Sequence, residues 1–407
     1  MNCRHCGTWP LHVFLDLGFA PPSNAYLSAD DLHRPESYYP LRLLVCDRCW
    51  LVQTEDYARA DELFRPDYAY FSSTSTSWLE HSARYCEMIR SRLDLDKDSF
   101  VMEVASNDGY LLKNFLVAGI PCLGIEPTDG TAEAAEKLGI PVRREFFGKA
   151  LAERLLAGGR QADLIIGNNV YAHVPDVNDF TEGLKVALKP SGTITLEFPH
   201  IMRLIEQTQF DTVYHEHFSY LSLHTVSRIF STVGLRVYDV EELSTHGGSL
   251  RVYGCHGDDP RPDSTSVDML IAKEEERGLR NLDIYRGFQE RADKIKDDLL
   301  VFLVEQKHAG KKVAAYGAAA KGNTLLNYAG VKPDLLPYVC DAAPSKQGKF
   351  LPGSHIPILP PAALSERHPD LVLILPWNIK EEVESECRYV RDWGARFAVC
   401  VPELQLE

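Results

Sequence analysis

Between residues 100 and 200 the apolar positions fall into short runs, separated by longer stretches of helical spacing. Runs at 100–104, 122–125, 164–167 and 193–198 predict strands, and the stretches 109–116, 131–138 and 180–188 predict helices. Such alternation predicts a mainly parallel, doubly wound sheet. From 267 to 306 charge at helical spacing takes over, with Lys273-Glu274-Glu275-Glu276-Arg277 near its start. Mixed charges in that pattern predict a solvated connecting helix, or a pair, and not a binding site. The strand–helix pattern then resumes, with strands at 313–316, 338–341 and 371–375, a small-residue turn at 317–322 and a helix at 323–328. The expected fold is α/β in three parts: a small cysteine-bearing domain over 1–75, a doubly wound Rossmann-like domain with its connecting helices over 76–300, and a second Rossmann-like domain over 301–407.

Composition narrows the function classes. The formal net charge of −15 over 407 residues argues against a nucleic-acid partner, because phosphate backbones are met by basic faces. No apolar run reaches the roughly 20 residues of a membrane span, and the N-terminal residues lack a signal peptide's apolar core. The expected location is therefore cytoplasmic, with no membrane partner. Ten cysteines in that setting read as metal ligands or free thiols, not disulfides. Cys3-Arg4-His5-Cys6 and Cys46-Asp47-Arg48-Cys49 are two C-x-x-C knuckles. Together Cys3, Cys6, Cys46 and Cys49 fill a tetrahedral shell and leave no open position, which predicts one structural zinc. Redox or free cysteine pairs are the competing reading. Cys86, Cys122, Cys255, Cys340, Cys387 and Cys400 are scattered and read as small hydrophobes.

The densest chemistry lies in Tyr214-His215-Glu216-His217-Phe218-Ser219-Tyr220. Two imidazoles, a carboxylate and two phenols suit general acid–base work. Metal ligation by His-x-His and a plain polar strand are the rival readings, and on an extended segment His215 and His217 share a face. A second constellation closes the first predicted strand: Glu103, Val104, Ala105, Ser106, Asn107, Asp108, Gly109 and Tyr110. In a doubly wound sheet ligands bind at such strand ends, and Glu126, after the next strand, stands where an acid accepts from a ribose diol. Asn168 and His173 follow a later strand of the same sheet and face the same crevice. The turn 317–322 offers small residues, a helix start and Lys321, a pattern that suits an anion.

Taken in order, the cysteine knuckles, 103–110, 168–174, Glu197-Phe198-Pro199-His200, 214–220 and 316–323 resemble the nucleotide-sugar C-methyltransferases of deoxysugar biosynthesis. These enzymes use S-adenosylmethionine (SAM) to methylate a ring carbon of a dTDP-4-keto-deoxysugar. The resemblance spans nearly the whole chain. It implies a zinc-binding N-terminal domain, a central SAM domain and a C-terminal Rossmann-like domain, with the substrate between the last two. It implies that His217 is the general base, with Tyr214 and Glu216 beside it, His173 a second imidazole and Tyr68 a tyrosine from the end of the first domain. SAM would lie along 103–110, with Glu126 on the ribose and Asn168 nearby. Tyr70, His200, Tyr316, Lys321 and Asn323 fall on the substrate side, and Lys321 is expected at the nucleotide diphosphate. Methylation at C3 is favoured, with C5 the other position the family uses, and a monomer suffices for it. The chemistry agrees: a C4 ketone acidifies the neighbouring C–H, a base makes the enolate, and that carbon attacks the sulfonium methyl. The alternatives are an O- or N-methyltransferase on a nucleotide sugar, a zinc-containing nucleotide-sugar binding protein without turnover, and a catalytic metal at the His-rich stretch.

Overall fold

A computed structural model describes residues 1–55 and 71–407. Its central sheet has seven strands in the order Leu235–Leu243, Ser249–His256, Leu188–Pro199, Ala162–Asn168, Val101–Val104, Cys122–Ile125 and Val142–Arg143. The five strands from Leu188–Pro199 onward run parallel, and the hairpin 235–256 adds the antiparallel edge. Helices cover both faces of a parallel sheet, so Val101–Val104 and Cys122–Ile125 are buried at every position. That is why these runs are continuously apolar. Val101–Val104 pairs with Cys122–Ile125 on one side and Ala162–Asn168 on the other. The strand order reverses there, which opens a crevice at the carboxyl ends.

The C-terminal sheet has six strands, ordered Ile358–Leu359, Val339–Cys340, Val313–Tyr316, Leu371–Ile374, Arg396–Val399 and Gln405–Leu406. Only the last pair is antiparallel. Alternation along Val313–Tyr316 sends Ala315 toward Leu325 and Leu326 of the helix Ala320–Tyr328. Ala314 and Tyr316 face the other way, toward Val383 and Val390.

The N-terminal sheet is antiparallel: His12–Ala20, Tyr39–Val45, Val52–Thr54 and a fourth strand, Ser219–Tyr220. Val52 pairs with Tyr220 and Gln53 with Ser219. The first unit is thus completed by the His-rich stretch of the second.

The charged segment departs from expectation. It forms two helices, Thr265–Glu276 and Phe288–His308, but they are not simply solvated. Phe288, Ala292, Ile295, Leu299, Phe302 and Leu303 recur at helical spacing and sit in one core with Leu15, Leu43 and Leu373. The second helix is a shared wall between the first and last units. Charge on its outer face hid this stripe. Glu274 is buried as well, for a reason that belongs to the site. Among the described residues no helix is long and apolar enough to cross a membrane.

Candidate active site

The loop after Val101–Val104 bends sharply. Ala105, Asn107 and Gly109 all take positive φ, at 57°, 49° and 78°. A Cβ on Gly109 would also come within 2.5 Å of Ile140 Cδ1, so glycine is required there on two counts. Glu126 organises the loop: its Oε2 accepts from the Asn107 N–H at 2.9 Å and its Oε1 from the Thr128 N–H at 3.0 Å. Asn107 Oδ1 and Asp108 Oδ2 accept from the N–H groups of Ser72 and Ser73, which folds the preceding turn over the loop. Glu103 and Ser106 are fully buried beneath, and burial raises the Glu103 carboxyl well above its ordinary value while the Tyr110 hydroxyl opposes it. Asn168 ends its strand with both amide atoms unpaired among the described residues. Seven of the nine residues named for the cofactor, 103 and 105–110, lie on this strand end and loop, with Glu126 hydrogen-bonded to it and Asn168 ending a nearby strand of the same sheet.

The His-rich stretch is a turn where it matters, closed by the His217 N–H on the Tyr214 carbonyl at 3.0 Å. The expectation that His215 and His217 share a face is therefore corrected. His215 turns to the first unit, with Nε2 3.4 Å from the Tyr39 carbonyl. His217 packs against Tyr214, His173 and Tyr220, at centroid distances of 4.1, 4.5 and 5.8 Å. Burial holds His217 well below its ordinary value, and the nearby His173, His246 and Lys321 add to this. His173 is pushed down to about 4, also by burial. Its Nδ1 lies 2.7 Å from the Glu216 carbonyl, which only accepts, so Nδ1 carries the proton and Nε2 the lone pair. Glu216 Oε1 accepts from Asn24 Nδ2 of the first unit, and burial raises its carboxyl.

On the C-terminal side Lys321 reaches Asn378 Oδ1, and its Nζ lies 4.5 Å from the Trp377 ring centroid. Burial lowers its amine to about 8, against the pull of Asp211. The turn before it is not an open anion cradle. The N–H groups of Gly317, Ala318 and Ala319 are held by Cys340 O, Asp341 Oδ2 and Gly317 O. A carboxylate of the protein occupies the place expected for a phosphate, while Lys321 itself is held by Asn378 and Trp377. Asn323 is buried with its amide unpaired among the described residues. Tyr316 is corrected: it belongs to the core on the opposite face of the sheet, with its hydroxyl 3.4 Å from Glu386. His200 is also corrected as a direct substrate contact. It is 1% exposed, and its Nε2 lies 2.7 Å from Glu274 Oε1. Tyr68 and Tyr70 lie outside the described residues.

The structure adds groups to which the sequence motifs gave no role. His246, at φ 54° between two strands, accepts at Nε2 from Asn169 Nδ2 at 3.0 Å, and burial lowers it to about 4. Its signal was a histidine beside Gly247-Gly248 in a hairpin loop. Glu197 ties the crevice together, with Oε2 3.0 Å from His81 Nε2 and 2.8 Å from Arg251 Nη2. Strand pairing brings Arg251 to Glu197 and the packing of the helix Thr76–Arg92 brings His81, so no local pattern could have joined the three.

The sulfurs of Cys3, Cys6, Cys46 and Cys49 lie within 4.8 Å of one another, with Cys3–Cys49 at 3.4 Å and Cys6–Cys46 at 3.5 Å. A tetrahedral zinc with bonds of about 2.3 Å sets sulfurs roughly 3.8 Å apart, so the donor set fits the ion.

Three family models match: a zinc binding domain over residues 3–64, a methyltransferase domain over 78–240 and a C-methyltransferase C-terminal domain over 244–402. The C-methyltransferase NovU of Streptomyces niveus is 32% identical over 402 residues, 99% of this chain and 96% of that protein. Among solved structures, a SAM-dependent methyltransferase of Clostridium acetobutylicum aligns at a TM-score of 0.36 and 10% identity, over 44% of this chain and 92% of that one. Magnesium protoporphyrin IX methyltransferase of Synechocystis with bound SAH aligns at 0.33 and 12%, over 44% and 81%. With three family models matched in order along it and a relative along its whole length, the chain belongs to the SAM-dependent C-methyltransferases with a zinc-binding N-terminal domain.

Proposed function

We propose that the chain methylates a ring carbon of a dTDP-4-keto-deoxysugar, C3 before C5, with His217 as the base. The observation that carries this reading is His217 itself: an imidazole held neutral by burial, 4.5 Å from a second neutral imidazole and 4.1 Å from a phenol. A neutral imidazole accepts a proton, and a phenol donates a hydrogen bond to the enolate oxygen that results. His173 has its one N–H engaged on the Glu216 carbonyl, so it suits orientation of the base better than donation to the enolate. That leaves Tyr214 as the donor, with Lys321 adding positive charge on the substrate side. Bound along 103–110, with Glu126 at the ribose and Asn168 beside it, SAM supplies an electrophilic methyl group. An enzyme of this kind works in the cytoplasm on a small-molecule substrate.

The test is mass spectrometry of the products from SAM and a dTDP-4-keto-6-deoxysugar, run beside hydrogen exchange of the sugar in heavy water. General-base catalysis contributes roughly 10²–10⁴ in rate. His217→Asn should bind both ligands and lose methyl transfer and exchange together. Exchange at the wild-type rate in that variant would assign the base elsewhere, and a methylated product without any exchange would favour O- or N-methylation.

A further inference from the structure

The short turn Phe210–Thr212, just before the His-rich stretch, belongs to the central unit but is held by the C-terminal one. Trp377 Nε1, 166 positions on, donates to Asp211 Oδ2 at 2.7 Å. Thr324 Oγ1, 111 positions on, donates to the Val213 carbonyl at 2.8 Å. Phe210 packs on Tyr328 of the same helix as Thr324, with ring centroids 5.6 Å apart. Thr212 is thus pinned from both sides. Asp211 and Thr324 are buried, so neither bond is exchanged for one to water. A buried carboxylate is costly to keep, and Phe210 already supplies apolar packing. Asp211 therefore calls for a reason beyond joining the units.

The Thr212 carbonyl faces His217. One ring nitrogen of His217 is hydrogen-bonded to it, and the Tyr220 hydroxyl lies 3.5 Å from the same oxygen. Gln209, Thr212, His217 and Tyr220 line one cavity of about 20 Å³, which sets turn and base side by side. A carbonyl only accepts, so the nitrogen bonded to it carries the proton and the other presents its lone pair. Burial, His173, His246 and Lys321 all oppose the charged form of His217, and the Thr212 carbonyl favours it. The phenols of Tyr214 and Tyr220 pack beside the ring.

We propose that Asp211, Trp377 and Thr324 are positioning residues, which hold the Thr212 carbonyl so that it fixes the tautomer of His217 and aims its free lone pair at the sugar carbon. The inference rests on His217 being the base. When the base takes the proton, the C–H electron pair stays on the sugar as the enolate and His217 becomes an imidazolium. Its N–H toward Thr212 then bears part of the new charge, and the carbonyl stabilises it where burial and Lys321 oppose it. Misplacing a reacting group by about 1 Å can cost roughly 10²-fold in rate, so a small shift of this turn reaches the chemistry. The C-terminal unit in this way acts on the base through a backbone carbonyl of the central one.

The experiment measures exchange of the sugar proton of dTDP-4-keto-6-deoxyglucose in heavy water, without SAM, against pH and sugar concentration. Trp377→Phe keeps a ring beside Lys321 and removes the donor to Asp211. Thr324→Val keeps the side chain's shape, removes the donor to Val213 and leaves Lys321, Asn378 and Trp377 in place. Both variants should keep SAM affinity by calorimetry, which shows the fold intact. Both should lose roughly tenfold or more in exchange at saturating sugar. The acid limb should move to lower pH, because the group that favours the imidazolium is displaced. In Thr324→Val the KM for the sugar nucleotide should stay at the wild-type value. A wild-type rate in both variants, a loss expressed only in KM, or a lower rate with the acid limb unmoved overturns the proposal; loosened packing alone produces the last of these. His217→Asn run in parallel separates the two readings. If it still exchanges, the base assignment fails; if it is silent and the two variants keep the wild-type limb, only the positioning role fails.

Discussion

Two histidines two residues apart, of identical chemistry, end in different surroundings because one turn separates them. His215 meets the Tyr39 carbonyl and His217 meets the second imidazole. Burial lowers both, so the sign of the pH dependence can be stated. The folded chain refuses protons at His173 and His217 that the unfolded chain takes up near the ordinary value of 6.5. Stability therefore falls as pH drops through 6.5, and the neutral base persists below it. The acid limb of kcat/KM should lie below pH 6.5; a limb at or above that value would place a different group in control. Glu126 gives a second prediction at this scale. Glu126→Ala should weaken SAM binding by about 1.5–3 kcal/mol by calorimetry, since a carboxylate acceptor is lost from the loop and from the proposed ribose contact. Equal affinity would remove Glu126 from the cofactor site.

At the level of elements, the buried Glu197–Arg251 pair clamps the strand Leu188–Pro199 to Ser249–His256 and, through His81, to the helix Thr76–Arg92. Burial alone would raise the Glu197 carboxyl, but His81, Arg251 and Thr245 together hold it below its ordinary value. Its contribution is thus present above the ordinary carboxylate range and lost as pH falls through the lowered value. Arg251→Met leaves a buried charge without its main partner and should cost about 3–5 kcal/mol in urea denaturation. A loss under about 1 kcal/mol would mean that water reaches the pair. The charged helices teach a related lesson. Their outward charges dominate the sequence pattern, while Glu274 and the stripe from Phe288 to Leu303 do the joining.

Across the whole molecule the zinc knuckles and the proposed base are mechanically linked. The strand Val52–Thr54 follows Cys49 by a few residues and pairs with Ser219–Tyr220, just past His217. Cysteine thiolates hold a structural zinc tightly, and small domains fold around it. Cys46→Ser should lose zinc by elemental analysis and lose solubility. With its sheet partner loosened, the residual enzyme should also lose sugar-proton exchange more than SAM binding. Unchanged metal content would refute the four-cysteine site.

Much of this molecule was legible in its residues alone. Local signals determined the alternating strands and helices, the two C-x-x-C knuckles, the strand end at 103–110 and the dense stretch 214–220, because short-range sterics and ligand spacing are written over a few positions. The tertiary structure decided what depends on residues far apart. Antiparallel pairing set Glu197 against Arg251 and a helix packed on the sheet brought His81 to them, a single turn separated His217 from His215, sheet alternation turned Tyr316 away, and the Asp341 carboxylate filled the turn expected to hold a phosphate. Each of these is a contact across the sheet or between units, and its energy is set by burial and distance, neither of which a one-dimensional pattern contains.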